Sequence, residues 1–107
     1  MVVNAFMQSL HALLIKFGIN APDIRVHGLT LDSREVTPKL AFVAVKGHSR
    51  DGRDFIPQAI SLGARAILAE AEEAGEHGQV MMREHTVIVK VWGLADLLSS
   101  LAAAFYD

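Results

Sequence analysis

The sequence predicts a single α/β domain, with a mixed, mainly parallel sheet flanked by helices. Three observations carry that expectation. Short apolar runs of strand length alternate with segments of helical periodicity, the order that builds parallel sheets. A chain of 107 residues matches the commonest domain size and can bury roughly two thirds of its unfolded surface in one core. Hydrophobic residues make up 51% and charged residues 21%, the balance of a globular chain rather than the charge-rich composition of a disordered one. No internal repeat, low-complexity tract or Pro/Gly/Ser linker divides the sequence.

Taken in order, Phe6, Leu10, Leu13, Leu14 and Phe17 recur at i, i+4, i+7, i+8 and i+11, which predicts an amphipathic helix over 4–18 with Asn4 as its cap and Gly18 as its stop. Residues 24–31 alternate and predict a strand near an edge. Leu40 to Val45 is apolar throughout, as a strand covered on both faces would be. A short helix is expected over 54–63, with Asp54 capping, Pro57 in the first turn and Gly63 at its end. Residues 64–69 and 86–91 read as further buried strands, and the acidic stretch between them, with Glu70, Glu72, Glu73 and Glu76, as a solvated helix or loop. After Gly93, Leu94, Leu97, Leu98, Leu101 and Phe105 repeat the helical stripe up to the last residues. Such a helix with no stop signal after it suggests a piece of a longer protein.

Composition removes several classes of function. A net charge of −2 supplies no basic field for a nucleic-acid backbone or an anionic bilayer. The absence of cysteine rules out disulfides, thiolate zinc sites and thiol nucleophiles. The amino terminus lacks the basic n-region and long apolar run of a signal peptide or membrane span. The five histidines, His11, His27, His48, His77 and His85, show no spacing that would bring two imidazoles to one metal. The chain carries no G-x-x-x-x-G-K-[ST] loop, no G-x-G-x-x-G turn and no G-x-S-x-G elbow.

One dense polar constellation remains. Asp32-Ser33-Arg34 follows the strand over 24–31, and Gly47-His48-Ser49-Arg50-Asp51-Gly52-Arg53 follows the strand over 40–45. Loops beyond strand ends are where open α/β sheets bind ligands. Ser33 offers a hydroxyl, Arg34 a planar fork suited to phosphate, and Gly47 and Gly52 allow close backbone approach. The same residues also suit two ordinary turns, with Arg53 pairing with Asp51 or Asp54. The residues alone leave both readings open.

The run Leu31-Asp32-Ser33-Arg34, then Phe42-Val43-Ala44-Val45-Lys46-Gly47-His48, then Asp51-Gly52-Arg53-Asp54-Phe55-Ile56-Pro57-Gln58-Ala59-Ile60, resembles the amino-terminal domain of the Mur ligases, of the MurE type that adds a diamino acid. The resemblance covers nearly the whole chain and is strongest over 31–70. It implies a Rossmann-like domain of a cytoplasmic enzyme of peptidoglycan-precursor synthesis. By residue, it implies that Leu31, Ser33, His48, Ser49 and Arg50 bind the uridine diphosphate end of UDP-N-acetylmuramoyl-dipeptide, with Asp32, Arg34, Gly47, Asp51 and Gly52 in support and no catalytic group among them. It further implies an ATP-binding domain with magnesium and an amino-acid-binding domain, neither of which lies in these residues, so the 107-residue chain by itself is expected to be inactive. A stand-alone nucleotide-sugar-binding or regulatory module, or a protein-interaction domain using the acidic stretch, is the alternative. The chain departs from the family where Pro-Gly-Asp-Leu-Phe is usual and Pro38-Lys39-Leu40-Ala41-Phe42 stands. A glycine-like conformation at Lys39 would carry strain.

Overall fold

The structure, a computed structural model, describes residues 7–106. The strands are β1 (Gln8–Ser9), β2 (Arg25–Val26), β3 (Gly28–Thr30), β4 (Leu40–Ala44), β5 (Ala66–Glu70), β6 (Val80–Arg83) and β7 (Thr86–Val91). The helices are α1 (Leu10–Leu14), α2 (Ile56–Ser61) and α3 (Leu94–Tyr106). The main sheet has the order β3-β4-β5-β7-β6. Its first four strands pair in parallel, and only β6 runs antiparallel, against β7. This is the expected mixed, mainly parallel sheet.

Residue alternation along the inner strands explains why they are apolar without interruption. Ala41 and Val43, Ala66 and Leu68, and Val87 and Val89 pack into one core with Leu10, Leu14, Leu101 and Phe105 of α1 and α3. Phe42 and Ala44, Ile67 and Ala69, and Ile88 pack on the other face with Ala59 and Ile60 of α2. Residues 41–44 of β4 and 66–69 of β5 are all buried, so a polar side chain at any of them would lose its contact with water. Thr86, at the start of β7, is buried with its hydroxyl donating to the Ala64 carbonyl at 2.9 Å.

Several elements differ from expectation. Helix α1 starts at Leu10, where the Ser9 hydroxyl accepts the Ala12 N–H, so Ser9 is its cap; Asn4, the expected cap, and Phe6 lie outside the described residues. The turn after α1 closes at Gly18 with φ 79, as the sequence predicts. The strand expected over 24–31 is split at His27 into β2, which pairs with β1, and β3, which forms an edge of the main sheet. At that edge the Tyr106 hydroxyl accepts the Leu29 N–H at 3.1 Å, covering a backbone donor that would otherwise invite another strand. Asp54 does not cap the helix that follows β4. Asp51 caps a 3-10 turn over Gly52–Phe55, and α2 continues from it with Pro57 in its first turn. Lys39 is not left-handed, since Glu84 is the only non-glycine residue with positive φ among those described. Lys39 sits instead in an ordinary turn closed by the Leu40 N–H on the Thr37 carbonyl at 3.1 Å, so the expected strain is absent. Strand β6 has no counterpart in the sequence reading. All four of its residues are exposed, so no burial pattern marks it.

Among the described residues, no helix is long and apolar enough to cross a membrane.

Candidate functional site

Strands β3 and β4 are parallel neighbours, so the loops leaving their carboxyl ends lie side by side. Between those loops and the start of α2 opens a cleft of about 580 Å3. Of the residues singled out from the sequence, Leu31, Asp32, Ser33, Arg34, Gly47, Arg50 and Gly52 line it. His48, Ser49 and Asp51 do not.

The first loop is shaped by Asp32. Its N–H donates to Thr30 Oγ1 at 3.1 Å, and its carboxylate accepts the Arg34 N–H at 2.9 Å, capping a 3-10 turn over Ser33–Glu35. The same carboxylate holds the Arg34 guanidinium through Nε at 3.0 Å and Nη2 at 2.9 Å. That hydrogen bonding holds the Asp32 carboxyl down to about 2 and raises Arg34, so both stay charged at neutral pH. Arg34 remains 80% exposed, with Nη1 unengaged among the described residues. The turn presses Ser33 inward. It is buried, and its hydroxyl donates to Gln58 Oε1 at 2.6 Å.

The second loop turns between Gly47 and Arg50, with the Gly47 N–H on the Arg50 carbonyl at 2.8 Å. His48 and Ser49 are the exposed tip of that turn, which places them away from the cleft wall. Asp51 faces the other way. It accepts the Arg53 N–H and grips the Arg53 guanidinium, which reaches on to the Glu70 carbonyl and Glu72. Arg53 therefore pairs with Asp51 and not with Asp54.

Val43, Val45, Phe55 and Gln58 complete the cleft, and none was picked out from the sequence. The first three look like core residues of a strand and a helix start. Gln58 is joined to Ser33 across 25 positions, a distance over which no local pattern speaks. The assembled site has a partly apolar floor, a neutral hydrogen-bonding pair in Ser33 and Gln58, and exposed guanidinium groups in Arg34 and Arg50. It contains no nucleophile–base pair, and among the described residues no cluster of three or more His, Asp or Glu could hold a metal.

The sequence pattern of the family described as Mur ligase family, catalytic domain, matches residues 25–106. The UDP-N-acetylmuramoyl-L-alanyl-D-glutamate--2,6-diaminopimelate ligase of Haemophilus influenzae (strain 86-028NP) is 46% identical over 85 residues, which are 79% of this chain and 17% of that protein. The ligase of the same name from Buchnera aphidicola subsp. Schizaphis graminum (strain Sg) is 36% identical over 98 residues, 92% of this chain and 20% of that protein. In three dimensions the chain superposes on the UDP-N-acetylmuramoylalanyl-D-glutamyl-2,6-diaminopimelate--D-alanyl-D-alanyl ligase of Acinetobacter baumannii with a TM-score of 0.70 at 17% identity, covering 92% of this chain and 21% of that one. That likeness is one of fold. The chain thus spans about a fifth or less of the length of the proteins it matches.

Proposed function

Because the chain belongs to the Mur ligase family, we propose that its cleft holds the uridine diphosphate end of UDP-N-acetylmuramoyl-L-Ala-D-Glu. On this reading it is the amino-terminal, substrate-binding domain of a cytoplasmic ATP-dependent ligase that adds a diamino acid, meso-diaminopimelate or L-lysine, in peptidoglycan-precursor synthesis. The names of the relatives support the reaction and favour diaminopimelate. The observation that carries the binding role is the cleft itself. It opens beyond the carboxyl ends of β3 and β4 and joins apolar surface at Leu31 and Phe55 to the guanidinium groups of Arg34 and Arg50, and a nucleotide needs both kinds of surface.

The roles follow from exposure and charge. Leu31, 58% exposed, packs on the base. Arg34, already aligned by Asp32, and Arg50 take the diphosphate, and the glycines at 47 and 52 let backbone come close. His48 and Ser49, at the turn tip, reach the ligand once it fills the space beside them. ATP and magnesium belong to the reaction, but these 107 residues offer no Gly-Lys-Ser/Thr phosphate loop, so this chain's part is to bind and orient the substrate.

Titration of the chain with UDP-N-acetylmuramoyl-L-Ala-D-Glu, followed by backbone amide shifts, tests the reading. The expected result is saturable shifts at Ser33, Arg34, Gly47 and Gly52, with weak affinity, because an isolated domain keeps only the contacts at the nucleotide end. Unmoved cleft amides at millimolar ligand would overturn it.

A further inference from the structure

The orientation of one hydrogen bond determines what the inner wall of the cleft can read. The Ser33 hydroxyl has a single proton, and it is directed at Gln58 Oε1 over 2.6 Å. In this orientation Ser33 Oγ presents its lone pairs, and not its proton, to a ligand. The Gln58 amide has its oxygen occupied by that proton, and its nitrogen, with two N–H donors, meets no acceptor among the described residues. Gln58 is exposed and lines the cleft, so those donors are available to a ligand. The inner wall thus presents an acceptor beside a donor, both neutral, in a cleft that Phe55 also lines.

We propose that Gln58 is a specificity-determining residue, and that Ser33 and Gln58 together select the imide edge of a pyrimidine base, with the ring N–H donating to Ser33 Oγ and the adjoining carbonyl accepting from the Gln58 amide. The proposal rests on the reading of the cleft as a uridine diphosphate site. It assigns the neutral pair to the neutral base, and leaves the diphosphate to the charged groups, Arg34 and Arg50, at the exposed rim. Uracil carries a donor flanked by acceptors. Cytosine carries an acceptor beside an amino donor, which in the observed orientation of the pair sets acceptor against acceptor at Ser33 and donor against donor at Gln58, so accepting it requires the Ser33 hydroxyl to rotate and the Gln58 amide to flip. Polar groups that a bound base covers and leaves unpaired discriminate more strongly than shape does.

Binding of UDP, CDP and 3-methyl-UDP to the chain, with cleft amide shifts read alongside, tests this. All three share ribose and diphosphate. UDP is expected to bind about tenfold to a hundredfold tighter than either of the others. Gln58→Leu should weaken UDP and bring the three affinities together. Gln58→Glu, which keeps an acceptor for the Ser33 hydroxyl but turns an acceptor toward the ligand, should do the same while leaving the fold intact. A residue that only supported Ser33 would survive the Glu exchange with its UDP preference unchanged, and that result would overturn the proposal. Equal binding of UDP and CDP to the unaltered chain, with cleft amides shifting for both, would also overturn it while leaving the cleft as the nucleotide site. No cleft shift with any of the three would instead remove the proposed function beneath it.

Discussion

Asp32 and Asp51 adopt nearly the same backbone, φ −104 and ψ 110 in one, φ −104 and ψ 111 in the other. Each opens a 3-10 turn, accepts the N–H of an arginine two residues on, and grips that arginine's guanidinium. The two Asp-x-Arg units then part company. Arg34 is 80% exposed and keeps donors in reserve, whereas Arg53 is 18% exposed and spends its remaining donors on the Glu70 carbonyl and Glu72. The middle residues differ too. Ser33 sends its hydroxyl across to α2, while at Gly52 an added Cβ would meet the Val45 carbonyl oxygen at 2.8 Å and its nitrogen at 2.9 Å. One local device serves once as a binding arm and once as a brace between the second loop and the carboxyl end of β5, and what surrounds each guanidinium decides which.

The largest effects should come from breaking the brace. Gly52→Ala forces backbone against backbone, and Arg53→Met leaves Asp51 and the Glu70 carbonyl without their donor. Each should destabilise the chain by about 1–3 kcal/mol, lowering the melting temperature by roughly 5–15 °C for a domain of this size. Arg34→Met is the matched control in the other unit and should leave the thermal midpoint where it is. If Arg34→Met and Arg53→Met shifted the midpoint alike, the division into arm and brace would fail.

The binding arm responds in the complementary measurement. Arg34→Met should weaken UDP by about tenfold through loss of a charge-assisted contact to phosphate. Ser33→Ala should cost a similar factor by removing the acceptor on the inner wall, with little change in the unfolding curve. Isothermal titration of both variants, set beside their melts, separates affinity from stability. An Arg34→Met chain that binds UDP as the parent does would move Arg34 out of the site.

How much of this was legible in the sequence follows from how local each cause is. The stripe of Leu94, Leu101 and Phe105 and the apolar run Leu40–Ala44 declare a helix face and a two-faced strand through spacing alone. So do the two clusters of turn residues that became the cleft's loops. The Asp-x-Arg spacing was visible twice, but nothing nearby told the exposed copy from the half-buried one, because the partners of Arg53 lie 17 and 19 residues away. Gln58 was hidden for the same reason. Strand β6 was hidden differently. Val80, Met81 and Met82 gain no burial from pairing, so the strand exists through backbone hydrogen bonds to β7 that no side-chain pattern records. The split at His27 belongs with it, since only pairing with β1 tells β2 from β3.

The smallest expected effect lies in acid. Arginine hydrogen bonding holds both Asp32 and Asp51 down at about 2 in the folded chain, below the value near 3.9 of an unfolded aspartate. A carboxyl lowered on folding contributes stability that is fully present above about pH 4 and is lost as the pH falls toward 2. Similar shifts need not carry similar stability, because the Arg34 guanidinium stands in solvent, where water and salt screen the pair, and the Arg53 guanidinium does not. Asp51→Asn should therefore flatten the pH dependence of the urea midpoint between about pH 4 and 2, and Asp32→Asn should flatten it less. Raising the salt should erase the Asp32 contribution first. Equal flattening by the two variants at low and high salt would mean that the exposed pair is as rigidly held as the half-buried one, and that the arm is a second brace.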